Sequence, residues 1–550
     1  MKEWTKDAVF YHIYPLGFCG CEQYHQDSIH HRINKIKDWI PHLKELHVNA
    51  VYLGPVFESF EHGYDTSDYR MVDHRLGDND DFMEVCKALH EAGIRIVLDG
   101  VFNHVGREFW AFKDVIAHKE QSPYCGWFHN LNFHGQSPYQ DPFTYEAWEG
   151  HYNLVKLNLR NEEVVGYLLD SIAMWMDTFR IDGLRLDAAD CIDQEFFTRL
   201  KHFCEDKDPN FWLMGEIIHG DYNRWANKDM LDSVTNYECY KGLYSSHNEK
   251  NFFEIAYSLN RQFGNGGIYK DLVLYDFVDN HDVNRLASTL KDPKDIQSVY
   301  TLLYAMPGIP SIYYGSEWAL QGRKHDGSDA DIRPCLALQD PNYDEALCQH
   351  LSLLGRIYDQ HTALRRGSYE QVIVRNEQYA FRRKDESEEV LAAFNVGEET
   401  YTMELPCPHE AMMDELKHVI YIADKGLIEV EMAPKSSYIL VPCMADTKHA
   451  VKKKPKKIEK KKEGKPVIKK EEEIPLPVSD MEIQPGRYEH YKGKHYAVLY
   501  VATHSETLEK YVVYRQLYGS CDVWIRPLSM FKERVLVDGK QVPRFRYLGK

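Results

Sequence analysis

The chain has no uninterrupted apolar run long enough to cross a membrane, and its first residues, MKEWTKDAVFYHIYP, lack the apolar core of a secretion signal. Its twelve cysteines are scattered, without the paired CxxC spacing of a zinc ribbon or the density of a disulfide framework. Cys19 and Cys21 form the closest pair, and one CxC gives little support for a metal site. We therefore expect no membrane span, and reduced thiols in a cytoplasmic protein.

The chain also lacks a surplus of positive charge. Its formal net charge is −19, which argues against nucleic acid as a partner because phosphate contacts need a cationic surface. Residues 452–470 are an exception, with eleven lysines, two glutamates and no aromatic side chain. This composition cannot bury a core and predicts a disordered or semi-stiff tether, with contact to nucleic acid or another anionic surface as the alternative.

The length and the alternation of patterns predict an α/β protein. A chain of 550 residues is too long for one ordinary core. Eight strand-like segments alternate with helical patterns over about 360 residues, which favours a (β/α)8 TIM barrel with insertions. The eight segments are AVFYHIYP, AVYLG, RIVLDGV, GLRLDA, FWLMGE, a weaker one near SVTNYECY, LVLYDFVDN and IPSIYYG.

The same pass along the chain predicts four domains or segments. A catalytic barrel would occupy residues 1–366, with an irregular, aromatic-rich insertion at about 104–157 after the third strand. Short alternating segments such as YAFRR and LAAFNV predict an all-β domain at 367–445. The lysine-rich linker would then cover 446–478, and a small β-rich module would cover 479–550.

Four of the predicted strands end in polar residues, at the edge where barrel enzymes place their reactive groups. One such strand end is ordinary, but four at a common rim are hard to explain by packing alone. The segments are DGVFNH with Asp99, Asn103 and His104; GLRLDAAD with Arg185 and Asp187; LMGEIIH with Glu216; and FVDNHDVNR with His281 and Asp282.

The octet GLRLDAAD raises a specific question. If it is a strand, its period of two directs Arg185 and Asp187 to one face and Leu184 and Leu186 to the other. An isolated buried charge is costly, so the inward pair is either a structural ion pair or part of a working site.

The carboxylates suit retaining glycoside hydrolysis, which needs a carboxylate nucleophile and a protonated carboxylic acid about 5 Å apart. Glu216 follows the apolar run FWLM, and desolvation would favour its protonated form. Asp187 lies beside Arg185, whose charge would favour the ionised form. These environments predict Glu216 as the acid/base and Asp187 as the nucleophile.

DGVFNH, GLRLDAAD, GEIIH and FVDNHD resemble, in order, the four signature regions of the α-amylase family, glycoside hydrolase family 13. HGYDTSDY (62–69) and GIPSIYYGSE (308–317) resemble two further family regions, and the likeness covers roughly residues 1–445. The resemblance implies an inserted B domain after the third strand and an all-β C-terminal domain. It also implies the role of each site residue: Asp187 nucleophile, Glu216 acid/base, Asp282 transition-state stabiliser, Tyr64 stacking on the reacting sugar, and His104, Arg185 and His281 hydrogen-bonding around it.

Three short motifs resemble the neopullulanase and cyclomaltodextrinase group within this family. They are LVKLN (154–158), GEIIH, and DADIR (329–333), which adds Asp329 and Arg333 as substrate-binding residues. The implied substrate is a short maltodextrin, cyclodextrin or pullulan-like α-glucan, cut at α-1,4 bonds, with α-1,6 bonds an open alternative. A transglycosylase is the nearest alternative enzyme, and a catalytically inactive scaffold is a remote one.

The resemblance also predicts that no metal and no cofactor is needed. Family members that bind a structural calcium hold it with the asparagine matching Asn103, an aspartate in place of Lys156 and a histidine in place of Cys191, so two oxygen or nitrogen ligands are replaced here. The oligomeric state is left open. Residues 485–548 resemble a small bacterial domain family of uncharacterised function, and this likeness transfers no activity; a glucan-binding accessory role is one hypothesis.

Overall fold

The computed structural model describes residues 2–340, 342–445, 483–503, 510–517, 523–537 and 540–549. The chain divides into two compact units, Met1–Lys453 and Lys454–Lys550. The expected lysine-rich linker at 446–478 lies outside the described residues.

The first unit is built around an eight-stranded, entirely parallel sheet. All eight segments expected from the sequence form its strands, in the order β6-β5-β4-β3-β2-β1-β8-β7. An isolated parallel bridge between Thr235 and Tyr275 joins the two ends of the sheet into a barrel. The strands are β1 (Phe10–Ile13), β2 (Ala50–Leu53), β3 (Arg95–Gly100), β4 (Gly183–Leu186), β5 (Trp212–Gly215), β6 (Ser233–Val234), β7 (Tyr275–Phe277) and β8 (Ile309–Tyr313).

The alternation of side chains along these strands fills the barrel from inside and leaves its outer face for the helices. Phe10, Trp212 and Tyr275 pack against one another in the interior, with ring centroids 5.4 Å apart for the first pair and 5.5 Å apart between Phe10 and Tyr275. Leu184 and Leu186 pack into the separate core between barrel and helices. Apolar side chains therefore fill the interior of the barrel, and polar groups lie at the carboxyl ends of its strands.

The helices of the first unit follow the strands as the periodicity indicates. Helix Asn79–Glu91 begins with a capping box formed by Asp78 and Asp81, and Gly93 follows it with a φ of 79°. The α-helices of the described chain are Pro15–Phe18, Lys35–Glu45, Asn79–Glu91, Trp110–His118, Glu162–Met174, Gln194–Lys207, Tyr237–Asn248, Phe253–Phe263, Leu286–Thr289, Ile296–Ala305, Glu345–Gln360, Thr362–Arg366 and, in the second unit, Leu528–Lys532.

Two small antiparallel sheets lie in the loops at the carboxyl end of the barrel. Phe57–Ser59 pairs with Thr66–Val72 to make a hairpin after β2, and its connection carries Tyr64. Strands His104–Gly106, Ala147–Trp148 and His151–Lys156 form a three-stranded sheet in the insertion after β3. This sheet is the inserted B domain that the sequence predicts.

An all-β domain follows the barrel. Its six-stranded sheet and a separate pair of strands enclose an apolar cluster that includes Leu391, Met403 and Leu440. The six strands, in sheet order, are Ser368–Val374, Gln378–Lys384, Glu389–Asn395, Ser436–Cys443, Ala411–Asp414 and Val419–Ile422, and the pair is Tyr401–Pro406 with Leu427–Met432.

The second unit contains a five-stranded antiparallel sheet and a two-stranded ribbon. Tyr488, Tyr514, Phe531 and Phe545 form most of its small core, whereas Tyr491 and Trp524 are exposed. The sheet runs Val523–Pro527, Lys510–Gln516, His495–Thr503, Gly486–His490 and Phe545–Gly549, and the ribbon is Arg534–Val537 with Lys540–Pro543. None of the helices in the described ranges of either unit has the length and apolar character that a membrane crossing requires.

Candidate active site

The octet GLRLDAAD forms strand β4 and the turn that follows it. Arg185 and Asp187 are 3% and 8% exposed and face the cleft, whereas Leu184 and Leu186 are buried on the opposite face. The period-of-two prediction is therefore confirmed, and two charged side chains are buried together at the carboxyl end of the barrel.

Arg185 contacts three carboxylates with one guanidinium group. Its Nη1 lies 2.9 Å from both carboxylate oxygens of Asp99 and 2.9 Å from Oδ1 of Asp187. Its Nη2 lies 2.7 Å from Oε2 of Glu216. The neighbouring strands explain this reach, because Arg185 is in register with Asp99 on β3 and with Met214 on β5, two residues before Glu216. One positive charge therefore faces three acidic groups.

This geometry differs from the expected separation of environments. The sequence suggested that Arg185 would act on Asp187 and that burial would act on Glu216, but Asp187 is the more buried of the two, the Glu216 side chain is 13% exposed, and both contact the arginine. Burial raises the pKa of Asp187 well above the usual carboxyl range, and it also raises the pKa of Glu216, although Arg185 lowers both. Burial and the negative charge of the neighbouring acids therefore oppose ionisation of both groups at once, while Arg185 favours it.

The backbone after Asp187 adopts an uncommon conformation that serves Glu216. Ala188 has a φ of 44° and a ψ of 46°, in the left-handed region that residues other than glycine rarely enter. In this conformation its N–H donates to Oε2 of Glu216 at 3.1 Å. An alanine gives no signal of this strain in the sequence, so the contact was not foreseeable.

Asp282 lies on the opposite side of the cleft, in contact with His281 and Arg333. Its Oδ2 is 2.9 Å from Nε2 of His281, and its Oδ1 is 3.0 Å from Nη2 of Arg333. Burial alone would raise the pKa of Asp282, but His281 and Arg333 outweigh that effect and hold it below the usual carboxyl range. Asp282 is therefore ionised.

Tyr64 and His281 form an aromatic wall between these two groups of acids. Their rings are stacked, with centroids 5.5 Å apart and planes 9° apart, and the tyrosine hydroxyl contacts Nε2 of His281. The same hydroxyl donates to Oδ2 of Asp99 at 3.0 Å. The contacts with Asp99 and His281 thus fix the orientation of Tyr64.

His104 lies above Asp187 at the base of the insertion. Its Nε2 is 3.9 Å from Oδ2 of Asp187 and has no hydrogen-bond partner in the described part of the protein, while Asn103 Nδ2 lies 3.1 Å from its Nδ1. Burial lowers the pKa of His104 to about 3, so the ring is neutral at physiological pH. Its free Nε2 can hydrogen-bond a ligand.

Arg333 links the last two expected site residues to the cleft. Its Nη2 contacts Oδ2 of Asp329 at 2.9 Å as well as Asp282, and its guanidinium lies over the ring of Tyr14. Each of the nine residues selected from the sequence therefore contacts another member of the set within 4 Å. They are Tyr64, His104, Arg185, Asp187, Glu216, His281, Asp282, Asp329 and Arg333.

Two buried side chains at the base of this network were missed. The hydroxyl of Tyr52 donates to Oδ2 of Asp99 at 2.7 Å, and the ring of His12 stacks on Tyr52 with centroids 4.2 Å apart. Both occupy inward positions of β1 and β2, so the alternation that identified Arg185 could have identified them. They position Asp99 and through it Arg185.

The junction between barrel and insertion does not provide the oxygen ligands that calcium requires. Asn103 Oδ1 is buried without a partner, but Lys156 places its ammonium 3.0 Å from Oε1 of Glu146, and the third position is the thiol of Cys191. Glu146 belongs to the insertion, so this ion pair holds the insertion together and does not bridge it to the barrel. A thiol and an ammonium do not fit a hard cation.

Two models of known protein families match parts of the chain. The model of the α-amylase catalytic domain matches residues 13–344, and a model described as "Protein of unknown function (DUF1653)" matches residues 486–547.

Two curated relatives and one solved structure are similar to the first unit. A cyclomaltodextrinase of Bacillus sp is 29% identical over 73% of this chain and 74% of its own length. An intracellular maltogenic amylase of Bacillus subtilis is 30% identical over 72% of this chain and 69% of its own. The structure of a cyclic α-maltosyl-(1→6)-maltose hydrolase from Arthrobacter globiformis is 25% identical with a TM-score of 0.68, covering 80% of this chain and 99% of that one.

Proposed function

Because the chain belongs to the α-amylase family of glycoside hydrolases, we propose that it cleaves α-1,4-glucosidic bonds of short maltodextrins and cyclodextrins with retention of anomeric configuration. The printed names of the relatives, cyclomaltodextrinase and maltogenic amylase, support this substrate class. The name of the Bacillus subtilis relative further supports action inside the cell.

The single observation that carries the mechanism is the bridge from Asp187 through Arg185 to Glu216. Two carboxylates that contact the two ends of one guanidinium group are close enough to flank one glycosidic bond. That arrangement is compatible with the separation of about 5–5.5 Å used by retaining enzymes. Their raised pKa values favour retention of one proton by the pair, and double displacement requires that proton on Glu216 with Asp187 ionised.

In the first step Glu216 donates its proton to the glycosidic oxygen and Asp187 attacks the anomeric carbon. The bond to the departing sugar breaks, and a covalent glycosyl ester forms on Asp187. In the second step the Glu216 carboxylate takes a proton from water, which attacks the anomeric carbon and releases Asp187. Ala188 N–H stabilises the charge that Glu216 acquires between the steps.

The ionised Asp282 supports the positive charge that develops on the sugar ring in both transition states. Tyr64 offers an aromatic face to the ring, and the Nε2–H of His104 can donate to a sugar hydroxyl, because Nδ1 of the neutral ring accepts from Asn103 Nδ2. Arg333 and Asp329 lie at the rim of the same network and would bind hydroxyl groups of the adjoining glucose unit.

The α-1,6 bond is a second candidate for cleavage. The solved relative named as a hydrolase of a cyclic maltosyl-(1→6)-maltose matches 80% of this chain. A cleft that accepts a 1→6 linkage would use the same two carboxylates, because the anomeric carbon attacked is identical and only the leaving oxygen differs.

The test is product analysis on maltotriose, β-cyclodextrin, pullulan and panose, together with proton NMR of the first product formed. We expect reducing sugar from maltotriose and β-cyclodextrin, with the new anomeric carbon in the α configuration at early times. An initial β product would contradict double displacement. Accumulation of oligosaccharides longer than the substrate would instead assign the enzyme to sugar transfer.

A further inference from the structure

A second cluster of ionisable side chains lies outside the active site. His25 belongs to the loop after β1, Glu58 to the first strand of the hairpin Phe57–Ser59 with Thr66–Val72, and His74 to the segment after that hairpin. One nitrogen from each histidine and one carboxylate oxygen all lie within 4.8 Å of one another. The catalytic mechanism uses none of the three.

The two histidine rings of the cluster lie within contact distance of the Glu58 carboxylate. Nδ1 of His25 is 3.1 Å from Oε2 of Glu58, and Nδ1 of His74 is 3.3 Å from Oε1. The His74 nitrogen is buried and makes no hydrogen bond within the described residues. Two ring nitrogens therefore face the two oxygens of one carboxylate, and one of them has no partner.

Glu58 is a buried acid without a permanent cation. Its side chain is 7% exposed, and within the described ranges its ion pairs are with His25 and His74 alone. The neighbouring Asp73 does have a cation, because Arg75 contacts it at 2.7 Å. A buried carboxylate is costly to keep ionised unless a cation lies beside it.

The second nitrogen of His25 lies near a further carboxylate. Nε2 of His25 is 3.6 Å from Oδ1 of Asp27, whose side chain is fully exposed, so Asp27 adds negative charge beside the cluster without a hydrogen bond. His25 and His74 are partly exposed, so an ion and a water ligand have access.

Other candidate ligands in the same region are already engaged. Asp78 and Asp81 form the capping box of helix Asn79–Glu91, and Asp81 also accepts from His31 and Asn34. Cys21 donates its thiol proton to the carbonyl oxygen of Arg75, and burial raises its pKa to about 11. The nearby group of His31, Asp78 and Asp81 and the CxC pair therefore do not offer free ligands.

We propose that His25, Glu58 and His74 bind one Zn²⁺-class transition-metal ion. Two imidazoles and one carboxylate match the three-ligand zinc sites of proteins, with water at the fourth position. The ion would connect the loop after β1 to the hairpin whose connection carries Tyr64, a junction already made by the hydrogen bond from His25 N–H to the carbonyl oxygen of Phe60. It would thereby stabilise the loop that positions Tyr64 without touching the catalytic acids.

The test uses the full-length chain without a histidine tag, stripped of metal by a chelator and then dialysed against ZnCl₂ at defined free concentrations. We expect one tightly bound equivalent and a higher melting temperature with zinc. His74→Ala and the conservative Glu58→Gln should lose both effects. His31→Ala is the matched control, because it removes a histidine of the same loop, and it should retain both.

Two further measurements do not depend on the folding of the ligand variants. Asp27→Asn should weaken zinc binding by less than about threefold, because this exposed carboxylate adds nearby negative charge without a hydrogen bond to His25. Cobalt added to the parent chain should give the visible absorption of a four-coordinate site without a thiolate charge-transfer band. Absence of a stoichiometric site, a thiolate band, or loss of binding in His31→Ala alone would overturn the proposal.

Discussion

The two sides of the cleft treat their carboxylates in opposite ways. On the side of β3–β5, Arg185 alone faces Asp99, Asp187 and Glu216, and burial raises the pKa values of the latter two. On the other side, Asp282 contacts His281 and Arg333, and its pKa lies below the usual range. Arg333 is shared with Asp329, and the Asp282 side chain is 33% exposed whereas that of Glu216 is 13% exposed, so the two sides differ in exposure as well as in their cationic contacts.

This contrast shows how one cleft can hold a proton on one side and a fixed negative charge on the other. In the proposed mechanism a pair that shares one cation supplies a protonated acid, which gives its proton to the leaving oxygen and regains one from water, beside an ionised nucleophile. Asp282, whose pKa is lowered by its contacts with His281 and Arg333, would remain ionised and stabilise positive charge. The proposal thus assigns different chemistry to the two sides.

The largest effects are expected from changes to the shared pair. Asp187→Asn removes the nucleophile and Glu216→Gln removes the acid, so each should lower turnover of maltotriose by at least the about 10²-fold to 10⁴-fold attributed to acid/base assistance. With α-maltosyl fluoride, whose leaving group needs no proton, Glu216→Gln should still release fluoride in a first turnover and Asp187→Asn should not. Fluoride release by a selective electrode measures both.

Azide provides the control on these roles. It should replace the missing nucleophile in Asp187→Gly and give β-maltosyl azide, and it should intercept the covalent intermediate in Glu216→Ala and give the α product. The reverse pair of products would exchange the two assignments.

A smaller effect is expected when Asp282 loses one of its cations. Arg333→Gln should lower kcat/KM by about tenfold to a hundredfold, from the about 1.5–3 kcal/mol of a hydrogen bond to a charged group. Because Arg333 holds the Asp282 pKa down, its removal should raise that pKa, and activity should then fall at a higher pH as the solution is acidified. The pH profile of kcat/KM measures this, with the nearby exposed Arg323→Gln as the control. An unchanged acid limb would show that Arg333 does not set the charge of Asp282.

The effect of burial on a pKa, and through it on stability, can be measured separately at His247, which is not part of the active site. Its ring nitrogens contact the carbonyl oxygen of Leu243 and the hydroxyl of Ser298, and burial lowers its pKa to about 4. The unfolded chain takes up this proton near pH 6.5 and the folded chain does not, so stability falls as the pH drops from 7 to 5. His247→Gln should reduce that fall by about 2 kcal/mol in urea unfolding. An equal fall in both proteins would mean that His247 is charged in the fold.

The smallest effect is expected from removal of the second unit. All of the carboxylates on the two sides of the cleft, and the side chains that contact them, lie in the first unit, Met1–Lys453. Truncation after Met444 should therefore leave kcat and KM on maltotriose within about twofold, because separate compact units usually fold independently. A loss of catalysis in a soluble truncated enzyme would place the second unit at the cleft. Affinity electrophoresis of the full and truncated chains in glycogen would test whether that unit binds glucan.

Sequence patterns predicted the barrel and the cleft residues for a definite physical reason. Parallel strands of a barrel place their carboxyl ends at one rim, so polar residues at strand ends are expected to lie close together. Alternation along a strand places Arg185 and Asp187 on one face and the leucines on the other. The sharing of Arg185 could not be derived in this way, because it depends on the register between β4 and its neighbours. The strained backbone of Ala188 was equally hidden, since alanine normally avoids that conformation.

The covalent intermediate is the most direct test of the account. Glu216→Gln treated with α-maltosyl fluoride should accumulate a maltosyl ester, because fluoride leaves without acid assistance and no base activates water for the second step. Proteolysis and mass spectrometry of the trapped enzyme locate the sugar. We predict a maltosyl group on Asp187 and on no other residue; a label on Asp99 or Asp282, or release of fluoride without any label, would contradict the assignment of Asp187 as nucleophile.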